Sequence, residues 1–258
     1  MKCMGTNNKV LHCRHGSSAQ QLNQSLISAG FEPVHIALFD IVDGSDCISL
    51  SANNFSVQLT NIDLVIITSQ YAVEKLTQQL NPSDLAKLQQ KNTIAVGDKT
   101  AKQLKATGFQ NIYLPENNDS EGILAHPHVK HSQQAILFKG EQGRDAIEQA
   151  FKLANKKLTT YNIYKRQWLT LTSAQLQIAL SCDYFVFTSG EIALKLYQAV
   201  EKQNKSESKP WLDVCTFVPS QRVASQLSQY GASDVINMQG ANNLTIIQAL
   251  QAHKQYDR

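Results

Sequence analysis

DLVIITSQYAVEKL (Asp63–Leu76) and DYFVFTSGEIALKL (Asp183–Leu196) are the two stretches that decide the fold. Each opens on an aspartate, runs through four apolar positions, meets Thr-Ser and continues at a different period. The near-continuous apolar run marks a strand buried on both faces, as in a parallel sheet. Val73, Leu76 and Leu80 then give the stripe of a helix. The two stretches align residue for residue at a shift of 120, so one strand–turn–helix device occurs twice.

The same alternation extends outward. VLHCR (Val10–Arg14) is a short β-type run, followed by a helical stripe at Ala19, Leu22, Leu26 and Ala29 that Gly30 closes. TIAVG (Thr93–Gly97) precedes a helix with Ala101 and Leu104 inward, ending at Gly108. Strand followed by helix, repeatedly, predicts an α/β fold with parallel sheets covered by helices. VLHCRH aligns with AILFKG (Ala135–Gly140) at a shift of 125, and residues 97–124 align with 220–247 at a shift of 123. A unit of about 120 residues, an ordinary domain size, is therefore read as an internal duplication.

ALFDIV (Ala37–Val42) and NIYKRQ (Asn162–Gln167) are equivalent segments of the two copies. If both are extended crossovers, residues 1–38 with 168–258 form one domain and residues 39–167 the other, joined by a two-stranded hinge. Periodicity alone leaves plain tandem domains open. Polar stretches at Asp43–Ser56, Ala125–Gln134 and Gln203–Pro210 read as loops.

Composition narrows the classes. Apolar residues make up 42% and charged residues 17%, which is globular rather than disordered. A net charge of +3 without a basic run gives no nucleic-acid footprint. No stretch approaches the ~18 apolar residues of a membrane span, and MKCMGTNNKV is not a signal peptide. Cys3, Cys13, Cys47, Cys182 and Cys215 are scattered without a CxxC pair, which fits reduced thiols and a cytoplasmic location. On that reading the sequons at Asn54, Asn204 and Asn243 carry no weight.

Nucleotide cradles of the GxGxxG and GxxxxGK[ST] kinds are missing, as are HExxH and GxSxG. His126, His128 and His131 cluster around Pro127 in a polar stretch that reads as a solvated loop, not a metal site. Thr68-Ser69 and Thr188-Ser189 differ in kind. Each pair ends an apolar strand and opens a helix, where ligands of parallel sheets bind and free N–H groups face an anion. Serine is also a favoured N-cap, and position alone divides the two readings evenly. Gly97–Thr100, Ser120–Gly122 and GEQGR (Gly140–Arg144) are further strand-end turns. As a bare pattern, GEQGR reads first as a tight turn with a surface arginine. Together the turns give a row of N–H and hydroxyl donors suited to a ligand with many carboxylates.

The order strand-Arg, TSxxAV-helix, AVGxxTAxxL, SEGxL, GxxGR, tyrosine-ended strand and FTS-helix resembles uroporphyrinogen-III synthases from about Val10 to Leu250. The resemblance implies two α/β domains joined by a two-stranded ladder, which favours the swapped division. It implies hydroxymethylbilane as substrate, no cofactor and no metal. It places Arg14, Thr68, Ser69, Gly97, Thr100, Ser120, Glu121, Gly122, Gly140, Arg144, Thr188 and Ser189 as substrate contacts and Tyr164 as the catalytic proton donor. Two turns depart from the family pattern, at His15-Gly16 and at Ser220–Val223, and leave their contacts open. A monomer is expected, with no nucleic-acid or membrane partner and a transient contact with the hydroxymethylbilane synthase that supplies its substrate. The rival reading is a two-domain α/β small-molecule binding protein without catalysis.

Overall fold

The computed structural model describes residues 8–47, 55–203 and 209–256. Cys3 and the sequon positions Asn54 and Asn204 lie outside them. The chain begins β1 (Lys9–His12), α1 (Ser17–Ser28), β2 (Glu32–His35), β3 (Phe39–Asp43), α2 (Phe55–Thr60), β4 (Leu64–Ile67) and α3 (Gln70–Gln79). It continues with α4 (Pro82–Gln89), β5 (Asn92–Ala95), α5 (Asp98–Ala106), β6 (Ile112–Tyr113), α6 (Ser120–Ala125), α7 (Pro127–His131), β7 (Gln134–Gly140) and α8 (Ala146–Leu153). Then come β8 (Lys157–Trp168), α9 (Ser173–Leu180), β9 (Tyr184–Val186), α10 (Gly190–Gln203), β10 (Cys215–Val218), α11 (Gln221–Tyr230), β11 (Val235–Asn237) and α12 (Asn243–Tyr256).

Residues 1–40 with 168–258 make one compact unit and residues 41–167 the other. The first holds a sheet of order β11-β10-β9-β1-β2, the second a sheet of order β3-β8-β7-β4-β5-β6. All pairings of β1, β4, β5, β7, β9 and β10 with their neighbours are parallel. The alignment that carries Val10 onto Ala135 also carries residues 32–43 onto 157–168. The segments β2 and β3 of one copy thus correspond to the single twelve-residue β8 of the other. Matched this way, β2-β1-β9-β10-β11 and β8-β7-β4-β5-β6 have the same order.

The apolar runs form strands because both faces of the sheet are covered. In the second unit Val65, Ile67, Ile136 and Phe138 pack with Phe55, Val73, Leu76 and Leu104 from the helices on one side. Leu64, Ile66, Ile94 and Leu137 pack with Ile123, Val129, Ile147 and Phe151 on the other. Burying each such side chain is worth roughly 1.5–3 kcal/mol. In the first unit Val10, Val186 and Phe217 pack against Leu22 and Leu26 of α1 and against Ile246 and Leu250 of α12. Gly30, Gly108 and Gly231 follow helices α1, α5 and α11 at φ of 82°, 90° and 110°, the left-handed conformation that ends a helix without a Cβ penalty.

Two stretches expected as loops carry structure. Pro127–His131 is helix α7: Pro127 supplies a preset φ at its first turn, His126 accepts the His128 N–H at 3.3 Å, and Val129 is buried as the anchor. The Asp43–Ser56 stretch is likewise bounded by structure, since Phe55 opens α2 with its ring in the core. Helix α10 reaches Gln203, and Pro210 starts a short 3-10 turn. Cys13, Cys47, Cys182 and Cys215 are buried and form no disulfide. Among the described residues no helix is long and apolar enough to cross a membrane.

Candidate active site

The carboxyl ends of β4, β5 and β7 lie side by side in the second unit, and the turns after them were the sequence's candidate contacts. A cavity of about 220 Å³ opens there, lined among others by Thr68, Ser120, Lys139, Gly140, Arg144 and Tyr164. Five of the thirteen expected site residues thus meet at one place: Thr68, Ser120, Gly140, Arg144 and Tyr164.

Tyr164 is placed by a register irregularity. Lys139 pairs with Asn162, but the next residue, Gly140, pairs with Tyr164, so one residue of β8 is left over. The Tyr164 ring lies across Gly140: a Cβ built there would fall 2.6 Å from Cζ and 3.0 Å from the hydroxyl. Glycine is therefore required for the ring to take this position. The edge of the ring meets Tyr71 of α3 with centroids 5.7 Å apart. Tyr164 is half-buried and lines the cavity, and its phenol is a group that can donate one proton.

The loop after β7 is tied down by a buried cation. Lys139 Nζ donates to Arg144 O at 2.9 Å, Asp145 Oδ1 at 3.0 Å and Glu148 Oε1 at 2.6 Å. Burial by itself would lower its pKa, but the bonds to Glu148 and Asp145 outweigh that and hold it above the ordinary lysine value. Arg144 stands at the surface and pairs bidentately with Glu121, at 3.1 and 3.3 Å. Both partners are exposed, so the pair contributes at most about 1 kcal/mol. An incoming carboxylate can displace Glu121 from the guanidinium fork at little cost.

The other expected contacts have different neighbours. Ser69 caps α3, its Oγ accepting the Ala72 N–H at 3.1 Å, and Ser189 accepts the Ile192 N–H at 3.3 Å in the same way. Thr68 donates to Phe138 O at 3.3 Å, a long bond that a better acceptor can replace. Gly97 is the N-cap position of α5, with the Asn118 side chain 3.0 Å from where a Cβ would stand, and Thr100 is buried in the first turns of that helix. Gly122 is forced by the Asn117 carbonyl, 2.1 Å from its would-be Cβ. Arg14, Thr188 and Ser189 belong to the other unit. Arg14 is buried as a residue, and its guanidinium donates to Ala241 O and Asn243 Oδ1. At the two divergent turns, Gly16 has φ 60° at the start of α1, while Ser220 caps α11 at 3.4 Å and Val223 is core.

Three polar lining residues, Asn118, Asp119 and Lys139, escaped the sequence reading. Asp119, not Ser120, is the N-cap of α6, accepting the Gly122 N–H at 2.7 Å. The signal was present, since aspartate three residues before Gly122 is a cap pattern. Asn118 packs on Gly97. Lys139 ends an apolar run, and under the 125-residue shift it is the counterpart of Arg14. Both are buried cations that brace the loop or helix start beside them.

The family model described as uroporphyrinogen-III synthase HemD matches residues 20–240. Uroporphyrinogen-III synthase of Escherichia coli strain K12 is 24% identical over 249 residues, covering 94% of this chain and 99% of its own. The Proteus mirabilis enzyme of the same name is 23% identical over 172 residues, covering 66% and 85%. Among solved structures, uroporphyrinogen-III synthetase from Helicobacter pylori 26695 superposes with a TM-score of 0.63 at 16% identity, covering 96% of this chain and 100% of its own. A mutant uroporphyrinogen III synthase from the extremely thermophilic bacterium Thermus thermophilus gives 0.58 at 15% identity, covering 96% and 99%. At such identities the superpositions speak for the fold, while the family model speaks for descent. Matched to that model over most of its length, this chain belongs to the uroporphyrinogen-III synthase family.

Proposed function

We propose that this protein closes hydroxymethylbilane into uroporphyrinogen III, with loss of water and inversion of the last pyrrole, ring D. The family match over residues 20–240 carries this reading, and the cavity beside Tyr164 supports a location for the chemistry. At about 220 Å³ the cavity is smaller than the ~300–1,000 Å³ of a typical drug-sized ligand site. It suits one pyrrole with its acid side chains rather than four. Thr68, Ser120, the Gly140 turn and Arg144 hold those carboxylates.

Tyr164 donates its proton to the departing hydroxyl, which leaves as water and gives an electrophilic azafulvene. The substituted carbon of ring D attacks it, forming a spiro intermediate. That intermediate fragments and recloses with ring D inverted, and the last ring carbon returns a proton. Without direction, the unsubstituted end of ring D closes and gives the type I isomer. Holding the two carbons in place is therefore the main contribution, worth several kcal/mol in entropy already spent on binding. Acid assistance adds roughly 10²–10⁴-fold. The test is isomer analysis of the product formed from hydroxymethylbilane.

A further inference from the structure

Away from the strand-end turns, Cys215, Asp234 and His253 each turn one ligand atom to a common point. The cysteine sulfur, a carboxylate oxygen and an imidazole nitrogen lie within 4.8 Å of one another. They come from three elements: Cys215 opens β10, Asp234 immediately precedes β11, and His253 sits in the last turn of α12. The backbone fixes two of them, since β10 and β11 pair in register from Thr216↔Val235 and the Thr216 N–H donates to Asp234 O at 2.9 Å. The third is fixed by packing: the His253 ring stands edge-on to Tyr184 at 5.8 Å and to Phe217 at 5.6 Å.

We propose that Cys215, Asp234 and His253 form a binding site for a borderline-soft divalent cation, zinc or its analogue cobalt. The donor set selects the class. One sulfur and one imidazole suit zinc and cobalt, and they exclude magnesium and calcium, which demand oxygen. Tetrahedral zinc with bonds of ~2.0–2.3 Å holds its ligand atoms roughly 3.4–3.7 Å apart. Closure from separations of up to 4.8 Å asks for side-chain shifts of about 1 Å, within the reach of small rotations about the side-chain bonds. The position also suits a cation, because the last carbonyls of α12 carry partial negative charge. Cys215 is buried while Asp234 faces solvent, so the ion has a protein floor and an open fourth position for water. His253 also lines a groove of about 370 Å³ with Ile236, Met238 and Ala249. Binding releases the Cys215 thiol proton to solvent as the sulfur–metal bond forms.

The site lies at the amino ends of β10 and β11. Thr188, Ser189 and Ser220 follow the carboxyl ends of the strands of the same sheet. It is therefore separate from the candidate contacts and independent of the proposed reaction.

The test is titration of the full-length protein, stripped with chelator, with cobalt(II) followed by absorbance. One cobalt per chain is expected, with a near-ultraviolet sulfur-to-cobalt band that an equivalent of zinc abolishes. Cys215→Ser should remove the band. Asp234→Asn, at an exposed position whose change leaves the fold intact, should weaken cobalt binding tenfold or more, as should His253→Gln. No band in the wild type, a band that persists in Cys215→Ser, or unaltered affinity in folded Asp234→Asn would overturn the proposal.

Discussion

Tyr164 and Gly140 have counterparts in the other copy of the fold, Phe39 and His15 under the 125-residue shift. There the His15 ring stacks on Phe39 at 5.0 Å, whereas in the second unit the tyrosine covers a glycine. One copy fills the place with a second ring; the other has a glycine there, and its tyrosine lines a cavity. For Tyr164→Phe, which keeps the ring and removes the donor, turnover should fall tenfold or more with little change in melting temperature. Gly140→Ala should also slow turnover, because the new methyl displaces the Tyr164 ring, at a stability cost of about 1–3 kcal/mol. Near-normal steady-state rates in both variants would leave positioning as the whole mechanism. His12 carries a separate prediction. Burial, only partly offset by its bond to Asn23 and reinforced by His35 and Arg14, lowers its pKa from 6.5 to about 4. The unfolded chain then binds the extra proton between those values, so the contribution is full above pH 6.5 and is lost as pH falls towards 4. The loss is about 3 kcal/mol, and urea melts across that window should show it; in His12→Gln the slope should flatten. At this scale the sequence was least informative. Tyr164 and the GEQGR turn were visible as patterns, but nothing in the sequence singled out Lys139. Its three acceptors, Arg144 O, Asp145 and Glu148, meet it only once the loop has folded back.

At the scale of elements, three of the strand-to-helix turns share one device: a serine follows the strand and caps the helix behind it. Ser69, Ser189 and Ser220 all accept the N–H three residues on. Ser69→Ala should therefore lower stability by about 1 kcal/mol, read by denaturant melting. Unchanged stability together with weakened product binding would assign the hydroxyl to the ligand instead. The strands and the helices behind them were legible because buried parallel strands are apolar throughout and their helices carry a 3.6-residue stripe. Helix α7 was not, because five residues with three polar side chains and a proline show no stripe. Its stability comes from Val129 in the core and from the His126 cap, neither of which is a periodic signal. Glu121 and Arg144 were each read as a ligand contact, and their pairing depends on where α6 and the β7 turn come together.

At the scale of the molecule, the two sheets share a strand order once β8 is matched to β2 with β3. From that and the three sequence alignments we infer that an ancestral unit was duplicated, each sheet taking strands from both copies. The Val10–Arg14 and Ala135–Gly140 runs carry this reading in the sequence, whereas the break between β2 and β3 was not legible there, since residues 36–38 are as apolar as a strand. The central claim is that this molecule directs ring closure. Enzymatically made hydroxymethylbilane should be incubated with the purified protein, without added metal or nucleotide, and the oxidised products separated by isomer. The account predicts that type III dominates, with type I reduced to a minor fraction. A ratio equal to that of the protein-free control, from folded protein, would contradict it.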